Sequence, residues 1–524
     1  MNNKLKVLPL GIQTFENIIK SDCLYVDKTD EIYKLLATNK EVKYYFLSRP
    51  RRFGKSLLVS TLESIFKGEK DLFKDLWIYD KIDFKKYPII KIDFNNIDMS
   101  TPEKLSKHLS FQLNEIARKY NIIFEEANDF KSKFIQLITN LSKIDKVVVL
   151  IDEYDKPLID HIDNIPIAIE NRKILKTFYG TLKGLDEHLH FIFFTGVSKF
   201  SKISIFSELN NLTDITMDEN HSKIIGIDEE QLYIYFDEYI KILAEKEQIT
   251  IEKTKKELKK WYNGYSWDSK NYLYNPYGLL LLFNKNEVNN YWFQTGTPTF
   301  LIKLIKEKEL DIKNIDNIEL TQESFDFYDI DNFNPYALLF QTGYLTIKQK
   351  IKKGFGQYKY VLGYPNMEVK NSLLKMILSD YSYFKKNNPI IIEDLLDSIQ
   401  ENDLKKFFLF FQKVFSEIPS VIFMADKEAY YHSIFYLILT LIGVRINCEV
   451  WTNHGRIDAV IENDDTIYIF EFKLSSVNIA IKQIKSKKYY EKYLTSEKKL
   501  VLVGVSFDID ERNIKKWKIK KIKT

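Results

Sequence analysis

The chain has 524 residues, 45% of them hydrophobic and 15% aromatic, which is enough apolar material for two or three cores and too long a chain for one. Its 77 Lys and Arg nearly balance its 73 Asp and Glu, so a net charge of +4 excludes a globally basic protein and confines any nucleic-acid surface to a local patch. Two cysteines, Cys23 and Cys448, exclude a disulfide framework and a zinc site and indicate a reducing compartment, the cytoplasm. We expect no membrane association, because no signal-length apolar core follows the N-terminus and the longest apolar run, 434–444, is too short to span a bilayer.

The first predicted domain, residues 1–222, alternates strand and helix patterns. Apolar, strand-like runs lie at 42–47, 88–94, 146–151 and 190–195, and helical spacing occurs at 102–120, 129–141 and 169–187. Alternating strands and helices predict an α/β fold with a parallel sheet and helices on both faces, and ligands collect at the carboxyl ends of such strands.

A basic octapeptide separates the first of these strands from the helix after it. It consists of Arg49, Pro50, Arg51, Arg52, Phe53, Gly54, Lys55 and Ser56. A strand, a tight loop ending in Gly-Lys-Ser and a helix are typical of a phosphate-binding loop (P-loop), whose backbone N–H groups and positive helix end face the phosphates of ATP. We expect Lys55 to reach the β- and γ-phosphates and Ser56 to ligate Mg²⁺. The motif departs from the usual one in that Arg49 stands where the first glycine is expected. The alternative interpretation is that the segment is only the N-terminus of a helix that begins at Ser56.

An acidic turn follows the buried strand at 146–151. Asp152 is expected to hold the water shell of Mg²⁺, and Glu153 to polarise the water that attacks the γ-phosphate. Another strand lies between the two motifs, as in the class of ATPases with a catalytic Glu after the Asp. At the end of the strand at 190–195, Thr195, or Ser198 beyond it, is a candidate sensor of the γ-phosphate. The alternatives are a solvated acidic turn and a threonine that caps a strand end.

The middle region, residues 223–385, gives little functional information. Helical spacing at 229–249 and 251–261 is followed by aromatic turns and a glycine-punctuated hairpin at 347–362. We expect a helical lid with a small winged-helix-like unit, in which the aromatic residues form core and turns. Stacking of these rings on nucleic-acid bases is the alternative.

The last predicted domain, residues 386–524, carries a second group of polar residues. A hairpin that pairs 457–461 with 467–473 brings Asp458 beside Glu471, and a period of two puts Glu471 and Lys473 on one face. Two carboxylates suit Mg²⁺, with Glu428 on the preceding helix completing the acidic shell, and Lys473 would steer the water or stabilise the phosphorane. Alternatively, Glu and Lys two residues apart are ordinary surface patterning. Gln483 lies on the helix that follows.

A lysine-rich segment with interleaved tyrosines extends from Lys482, beside Gln483, to Tyr493. It contains Lys482, Lys485, Lys487, Lys488 and Lys492, together with Tyr489, Tyr490 and Tyr493. The cations could neutralise phosphates while the rings stack on bases, or the segment is a solvated helix face. The run of lysines from Lys515 to Lys523 leaves the same two alternatives open.

Four stretches, at 25–29, 48–57, 150–155 and 194–200, resemble the prokaryotic AAA-ATPase-like family. The resemblance implies an ATPase domain joined to a C-terminal PD-(D/E)XK nuclease-like domain, and it makes Arg49 a family trait. It also implies roles in the last domain: Asp458 matches the metal-binding Asp, Glu471 and Lys473 match the (D/E)XK pair, Glu428 matches the helical acid, and Gln483 matches the residue after the lysine.

Three functions are compatible with these motifs. We expect an enzyme that binds and hydrolyses ATP and whose Mg²⁺-dependent nuclease cleaves nucleic acid under ATP control, with DNA favoured over RNA. The alternatives are a nucleotide-switched nucleic-acid-binding protein, or a signalling ATPase with an effector domain. Many ATPases of this class form homo-oligomers, in which Arg51, Arg52 or Arg172 could act in trans.

Overall fold

The computed structural model describes the chain apart from a set of short segments. These are residues 1–4, 38–43, 163, 200–205, 207, 208, 210, 293–311, 327, 330, 331, 383–388, 417–427, 442–445, 453, 454, 464, 523 and 524. The chain divides into two compact units, Met1–Lys308 with Ile315–Val369, and Glu309–Asn314 with Lys370–Thr524. No helix within the described part of the chain is both long and apolar enough to cross a bilayer.

A parallel sheet is the centre of the first unit. Its strands are β1 (Tyr44–Ser48), β2 (Ile89–Asp93), β3 (Val147–Asp152), β4 (Leu189–Gly196) and β5 (Thr213–Asp214). They lie in the order β2-β3-β4-β1-β5, and all pairs are parallel. Every residue of β1 and β3 is buried, so both faces of the sheet are covered. The predicted parallel α/β sheet is confirmed.

Two helices precede the first strand, and the others fill the connections between the strands. They are α1 (Phe15–Lys20), α2 (Thr29–Ala37), α3 (Lys55–Phe66), α4 (Pro102–Lys119), α5 (Phe130–Leu141), α6 (Lys156–Ile159) and α7 (Ile165–Gly180). The side chains of Thr101 and Asp129 accept hydrogen bonds from backbone N–H groups in the first turns of α4 and α5, which fixes where these helices begin. The helix predicted at 169–187 instead starts at Ile165, beside a proline, and continues after Gly180 as a 3₁₀ helix, Thr181–His188.

The middle region belongs to the same compact unit as far as Val369, apart from Glu309–Asn314. Its elements are α8 (Glu229–Glu247), α9 (Ile251–Tyr262), α10 (Pro276–Lys285), β6 (Ile318–Thr321), α11 (Glu323–Asp326), β7 (Tyr328–Asp329), β8 (Asn332–Phe333), α12 (Pro335–Gln341), β9 (Thr346–Gly354) and β10 (Gln357–Gly363). Leu8 and Leu24 from the N-terminal segment share one core with α8 and α10. Strands β6, β10 and β9 form a separate antiparallel sheet with β9 at its edge, which confirms the predicted hairpin.

The second unit is built on a mixed sheet. Its elements are α13 (Met367–Ser382, which begins at the end of the first unit), α14 (Pro389–Gln400), α15 (Leu404–Ser416), α16 (Glu428–Leu441), β11 (Ile446–Thr452), β12 (Gly455–Glu462), β13 (Thr466–Lys473), α17 (Val477–Ser486), β14 (Lys499–Asp508) and β15 (Asn513–Ile522). The strands lie in sequence order, and β13 and β14 are the parallel pair. Helices α14–α16 pack on one face and α17 on the other, each over its own hydrophobic core.

Candidate nucleotide and nuclease sites

The P-loop wraps around the ammonium group of Lys55. Gly54 has φ 98°, a conformation that favours glycine, and α3 begins directly after it. The Lys55 Nζ donates to the carbonyl oxygens of Arg49 and Pro50, each at 3.2 Å, and lies 3.3 Å from the carboxylate of Glu153. Lys55 is only 4% exposed, so its charge is held at a fixed point beneath the loop. A loop with this geometry can hold phosphate oxygens.

Arg49 occupies the place of the usual first glycine without facing the cleft. It is fully buried, and its Nη1 donates to the carbonyls of Ser48 (2.9 Å) and Thr216 (2.8 Å). The guanidinium carbon lies 4.0 Å from the ring centroid of Trp267, and burial lowers the pKa of Arg49 to about 9. The Arg49 side chain therefore attaches the loop to the middle region, and the predicted part of Arg49 in nucleotide binding stays a prediction.

Phe53 does not line the polar cavity beside the P-loop but lines the apolar cavity that adjoins it. Its ring packs edge-to-face against Tyr265 and Trp267. The side chains of Arg49, Pro50 and Phe53 are not among the described residues that line the polar cavity, whereas Arg51, Arg52, Gly54, Lys55 and Ser56 are. The octapeptide is thus divided between residues that face the polar cavity, Phe53 at the apolar cavity, and residues that attach the loop to the protein.

Asp152, at the end of β3, lies beside Ser56. Burial, and then the charge of Glu153, raise the pKa of Asp152 to about 6, while a hydrogen bond with the Ser56 side chain opposes the rise. The Asp152 Oδ1 is buried and has no hydrogen-bond partner among the described residues. A carboxylate oxygen available next to a hydroxyl fits the shared coordination of Mg²⁺ by protein, water and phosphate. Asp93, aligned with Asp152 on β2, was not predicted, although its position at a strand end was a usable signal.

Glu153 has a left-handed backbone with φ 54°, which aims its side chain at Lys55. Such a conformation costs a non-glycine residue on the order of 1 kcal/mol and is typical of functional positions. The carboxylate is partly exposed and faces the cavity. Glu153 is therefore placed to act on a water molecule there once Lys55 binds phosphate.

The end of β4 is held by Asp155, a residue that the sequence did not single out. Its carboxylate accepts hydrogen bonds from the N–H groups of Val197 (3.1 Å) and Ser198 (2.6 Å) and from the Ser198 hydroxyl (2.7 Å). Burial, and then Glu153, raise the pKa of Asp155 to about 6. Thr195 is fully buried, and its hydroxyl has no described partner. Both predicted sensor residues thus lie at a rigid strand end, and Asp155 could have been recognised as the third acid of the turn.

Two adjoining cavities extend from the P-loop. The polar one has about 530 Å³, within the range of small-molecule sites, and is lined by residues of the N-terminal segment, the P-loop, the acidic turn and α10. The apolar one has about 100 Å³ and is lined by Tyr25, Val26, Ile224, Ile225 and Gly226 among others. Gly54 and Leu57 line both. A charged cleft that leads to an apolar recess suits a nucleotide, with phosphates at one end and base at the other.

The second site lies on the β12–β13 hairpin. The register pairs Ala459 with Phe470, and the Asp458 Oδ2 accepts a hydrogen bond from the backbone N–H of Phe472 at 2.8 Å. Asp458 is therefore adjacent to Glu471, as predicted. Glu471 is 0% exposed, and its Oε1 accepts hydrogen bonds from Lys473 Nζ (2.9 Å) and from Gln483 Nε2.

Helix α17 brings Gln483 to this site. The helix lies directly on Gly504, where a Cβ atom would be 2.9 Å from both Ile481 Cγ1 and the carbonyl of Val477. Glu428 is the first residue of α16, which packs through Phe435 on the opposite face of the sheet, and the Glu428 side chain lies outside the described residues. Its predicted role as a ligand stays a prediction.

The donors present fit a hard cation at each site. Asp458 and Glu471 provide neighbouring carboxylate oxygens, and Ser56 and Asp152 provide a hydroxyl and a carboxylate. Among the described residues there is no group of three or more His, Cys, Asp or Glu side chains arranged around a metal position. Mg²⁺ commonly takes only one or two protein carboxylates and fills its shell with water and phosphate oxygens, so two donors at each site are compatible with it.

The lysine-rich segment 482–493 offers exposed cations, but the ring of Tyr489 is not exposed. Lys482, Lys485, Lys487 and Lys488 are exposed. Tyr489 is buried, and Tyr490 and Tyr493 pack against the core beneath α17. These rings mainly contribute to the hydrophobic core, because they fill the space between the end of α17 and the sheet.

The geometry defines a P-loop nucleotide-binding unit joined to a unit with a (D/E)XK constellation. Residues 9–206 match the family described as predicted AAA-ATPase, and residues 426–517 match the PD-(D/E)XK nuclease superfamily. The chain is also similar to an uncharacterized protein in the vnfD 5′ region of Azotobacter chroococcum mcd 1, with 36% identity over 520 residues that cover 97% of this chain and 98% of that protein. The chain belongs to the AAA-ATPase-like family with a C-terminal PD-(D/E)XK domain.

Proposed function

We propose that this protein binds and hydrolyses ATP and uses the state of its nucleotide to control a Mg²⁺-dependent nuclease. The observation that carries the proposal is that one chain contains both a P-loop cleft and a (D/E)XK constellation with compatible side-chain contacts. DNA is the substrate we favour over RNA.

In the first unit, ATP would place its base in the apolar cavity and its phosphates at the P-loop. The phosphates would take over Lys55 from Glu153, because both compete for one ammonium group. Glu153, released from Lys55, would then accept a proton from the attacking water. Arg51 and Arg52 line the cavity of their own chain, which leaves Arg172 as the candidate to act in trans in a homo-oligomer.

In the second unit, Asp458 and Glu471 would hold Mg²⁺, which when bound supplies an activated water and offsets charge on the scissile phosphate. Lys473 would orient the water or stabilise negative charge on the phosphate in the transition state. Gln483 keeps Glu471 in its rotamer through the hydrogen bond to Oε1. The reaction is hydrolysis of a phosphodiester bond.

Contacts behind the P-loop support control by ATP. The indole N–H of Trp292 donates to the carbonyl of Arg51 at 3.1 Å, and the backbone N–H of Trp292 donates to Glu368 at 2.7 Å. Glu368 lies at the start of α13, the helix that continues into the second unit. If the P-loop shifts when it binds phosphate, Trp292 would therefore shift with it and change the hydrogen bond to Glu368 at the beginning of α13. We place the protein in the cytoplasm, because Cys23 and Cys448 are its two cysteines and neither is needed for a disulfide framework.

The test is Mg²⁺-dependent cleavage of a panel of DNA and RNA substrates, with and without ATP. It compares the native chain with Lys473→Ala, Lys55→Ala and a control, Lys499→Ala, which removes an exposed lysine of the same unit that pairs with Asp465 at 3.1 Å. We expect cleavage to disappear in Lys473→Ala, to lose its response to ATP in Lys55→Ala and to persist in the control. If the native chain hydrolyses ATP and cleaves no substrate, the nuclease proposal is refuted, and a nucleotide-switched binding or signalling protein becomes the better account.

A further inference from the structure

The hairpin formed by β9 and β10 has an unbalanced charge. Between Thr346 and Gly363 it contains no Asp or Glu and five lysines: Lys348, Lys350, Lys352, Lys353 and Lys359. The whole chain has 77 basic and 73 acidic residues, so this segment departs strongly from a balanced composition. A local basic patch is the form in which a nearly neutral protein can attract a polyanion.

The lysines near the tip of the hairpin are the most accessible to a binding partner. Lys359 is paired with Glu319 on β6, and Lys348 is half-buried. Lys350, Lys352 and Lys353 are exposed on β9, the edge strand. The basic end of the hairpin therefore points its charge at solvent.

Aromatic rings accompany these cations. Lys352 is opposite Tyr358, and the Lys350 Nζ lies 4.5 Å from the centroid of the half-exposed Tyr358 ring. Phe355 forms the tip between two glycines and is 103% exposed, which means that its ring has no cover from the protein. A single exposed aromatic ring is common on protein surfaces. An exposed ring next to a cluster of lysines, however, can contact the same ligand as the lysines do.

We propose that this hairpin binds nucleic acid, with Lys350, Lys352 and Lys353 against the phosphate backbone and Phe355 stacked on an unpaired base. Lysines neutralise phosphates without reading sequence, and an aromatic ring stacks on any base, so the hairpin would hold a strand irrespective of sequence. The inference shares with the proposed function only the assumption that nucleic acid is the substrate.

An anionic membrane is the competing partner. The residues that flank Phe355 closest are glycines, with Lys352, Lys353 and Gln357 beyond them, all exposed. One buried phenylalanine contributes too little apolar area to anchor a protein of this size in a bilayer. A nucleic-acid strand would instead use the three exposed lysines and Phe355 together.

The experiment measures binding of the full chain to labelled single-stranded and duplex DNA by fluorescence anisotropy in EDTA, where no Mg²⁺-dependent cleavage occurs. The variants are Lys352→Ala/Lys353→Ala and Phe355→Ala. The control is Lys253→Ala/Lys256→Ala, which removes two exposed lysines from α9, each of which lies next to a glutamate in the chain, Glu252 or Glu257. All changes are on the surface, and thermal melting checks that each variant is folded.

We expect Lys352→Ala/Lys353→Ala to weaken binding to both DNAs and to lower the slope of log K against log salt by about 1.4 to 1.8. Phe355→Ala should weaken binding to single-stranded DNA on the order of tenfold and leave the slope unchanged. The control should bind as the native chain does.

Native affinity and salt slope in both hairpin variants would overturn the proposal. So would retention by vesicles of anionic lipid that is lost in the hairpin variants while DNA binding is not. The result is independent of the nuclease proposal, because cleavage can fail in Mg²⁺ while binding in EDTA still depends on the hairpin.

Discussion

Replacing Glu153 with glutamine isolates one interaction in the nucleotide cleft. The Glu153 carboxylate lies 3.3 Å from Lys55 Nζ, and the two side chains are 16% and 3% exposed. Glutamine keeps the size of the side chain and tolerates the same left-handed backbone, so the variant removes the negative charge and little else. Lys55 retains its hydrogen bonds to the Arg49 and Pro50 carbonyls.

The size of the effect follows from this geometry. At 3.3 Å and an effective dielectric constant of about 20, the pair attracts by roughly 5 kcal/mol before desolvation, and hydrogen bonds to charged groups contribute about 1.5–3 kcal/mol net. ATP must displace Glu153 from Lys55, so native affinity is reduced by part of this amount. We expect Glu153→Gln to bind ATP about tenfold more tightly, and to hydrolyse it about 10²- to 10⁴-fold more slowly because the general base is lost.

The assay is titration of a fluorescent ATP analogue together with steady-state release of phosphate. The matched control is Glu170→Gln, an exposed acid of α7 that does not line the cavity and pairs with Lys173 at 2.6 Å. The control variant should keep its ATP affinity and its rate of ATP hydrolysis within a few-fold of the native values. Weaker or unchanged ATP binding in Glu153→Gln would refute the competition between Glu153 and phosphate, and unchanged hydrolysis would refute its role as the base.

Further predictions concern packing, titration and the second site. In Gly196→Ala, the new Cβ would overlap Asp155 Oδ1, so urea denaturation should show about 1–3 kcal/mol less stability, and native stability would contradict this. Burial raises the pKa of Glu368 from near 4.5 to about 8. The native chain should therefore lose stability as pH rises from about 4.5 to about 8, when its unfolded state ionises first, and Glu368→Gln should lack this loss. An equal difference in Tm between the two proteins at pH 5 and pH 8.5 would exclude Glu368 as the group. Gln483→Leu should lower nuclease activity or Mg²⁺ affinity about 10- to 100-fold with an unchanged Tm, since it removes one donor to Glu471, and native activity would count against a positioning role.

Patterns formed by residues close together in sequence were enough to predict a large part of the secondary structure. A continuous apolar run predicts a buried parallel strand, as in β3, and the turn chemistry of Gly54 and Lys55 predicts where α3 begins. Alternation of side chains with a period of two was enough to place Asp458 beside Glu471. These features depend on residues close together in sequence or on a single hairpin register.

Other features depend on residues that meet only when the chain is folded. The burial of Arg49 against Trp267, and the wall that Ile224 and Ile225 give to the apolar cavity, join segments that are far apart in sequence. No local pattern marks which carboxylates become buried, so the hydrogen bonds of Asp155 to the end of β4 could not be predicted from its neighbours.

The sequence by itself thus determined the kinds of elements, the phosphate-binding loop, and the proximity of Asp458 to Glu471. Only the tertiary structure decided which of these side chains face a cavity and which support the loop from behind. The physical reason is that secondary structure and turns follow from short-range sterics and periodicity. Burial, pKa and cavity shape follow from the packing of segments whose separation in the chain says little about their separation in space.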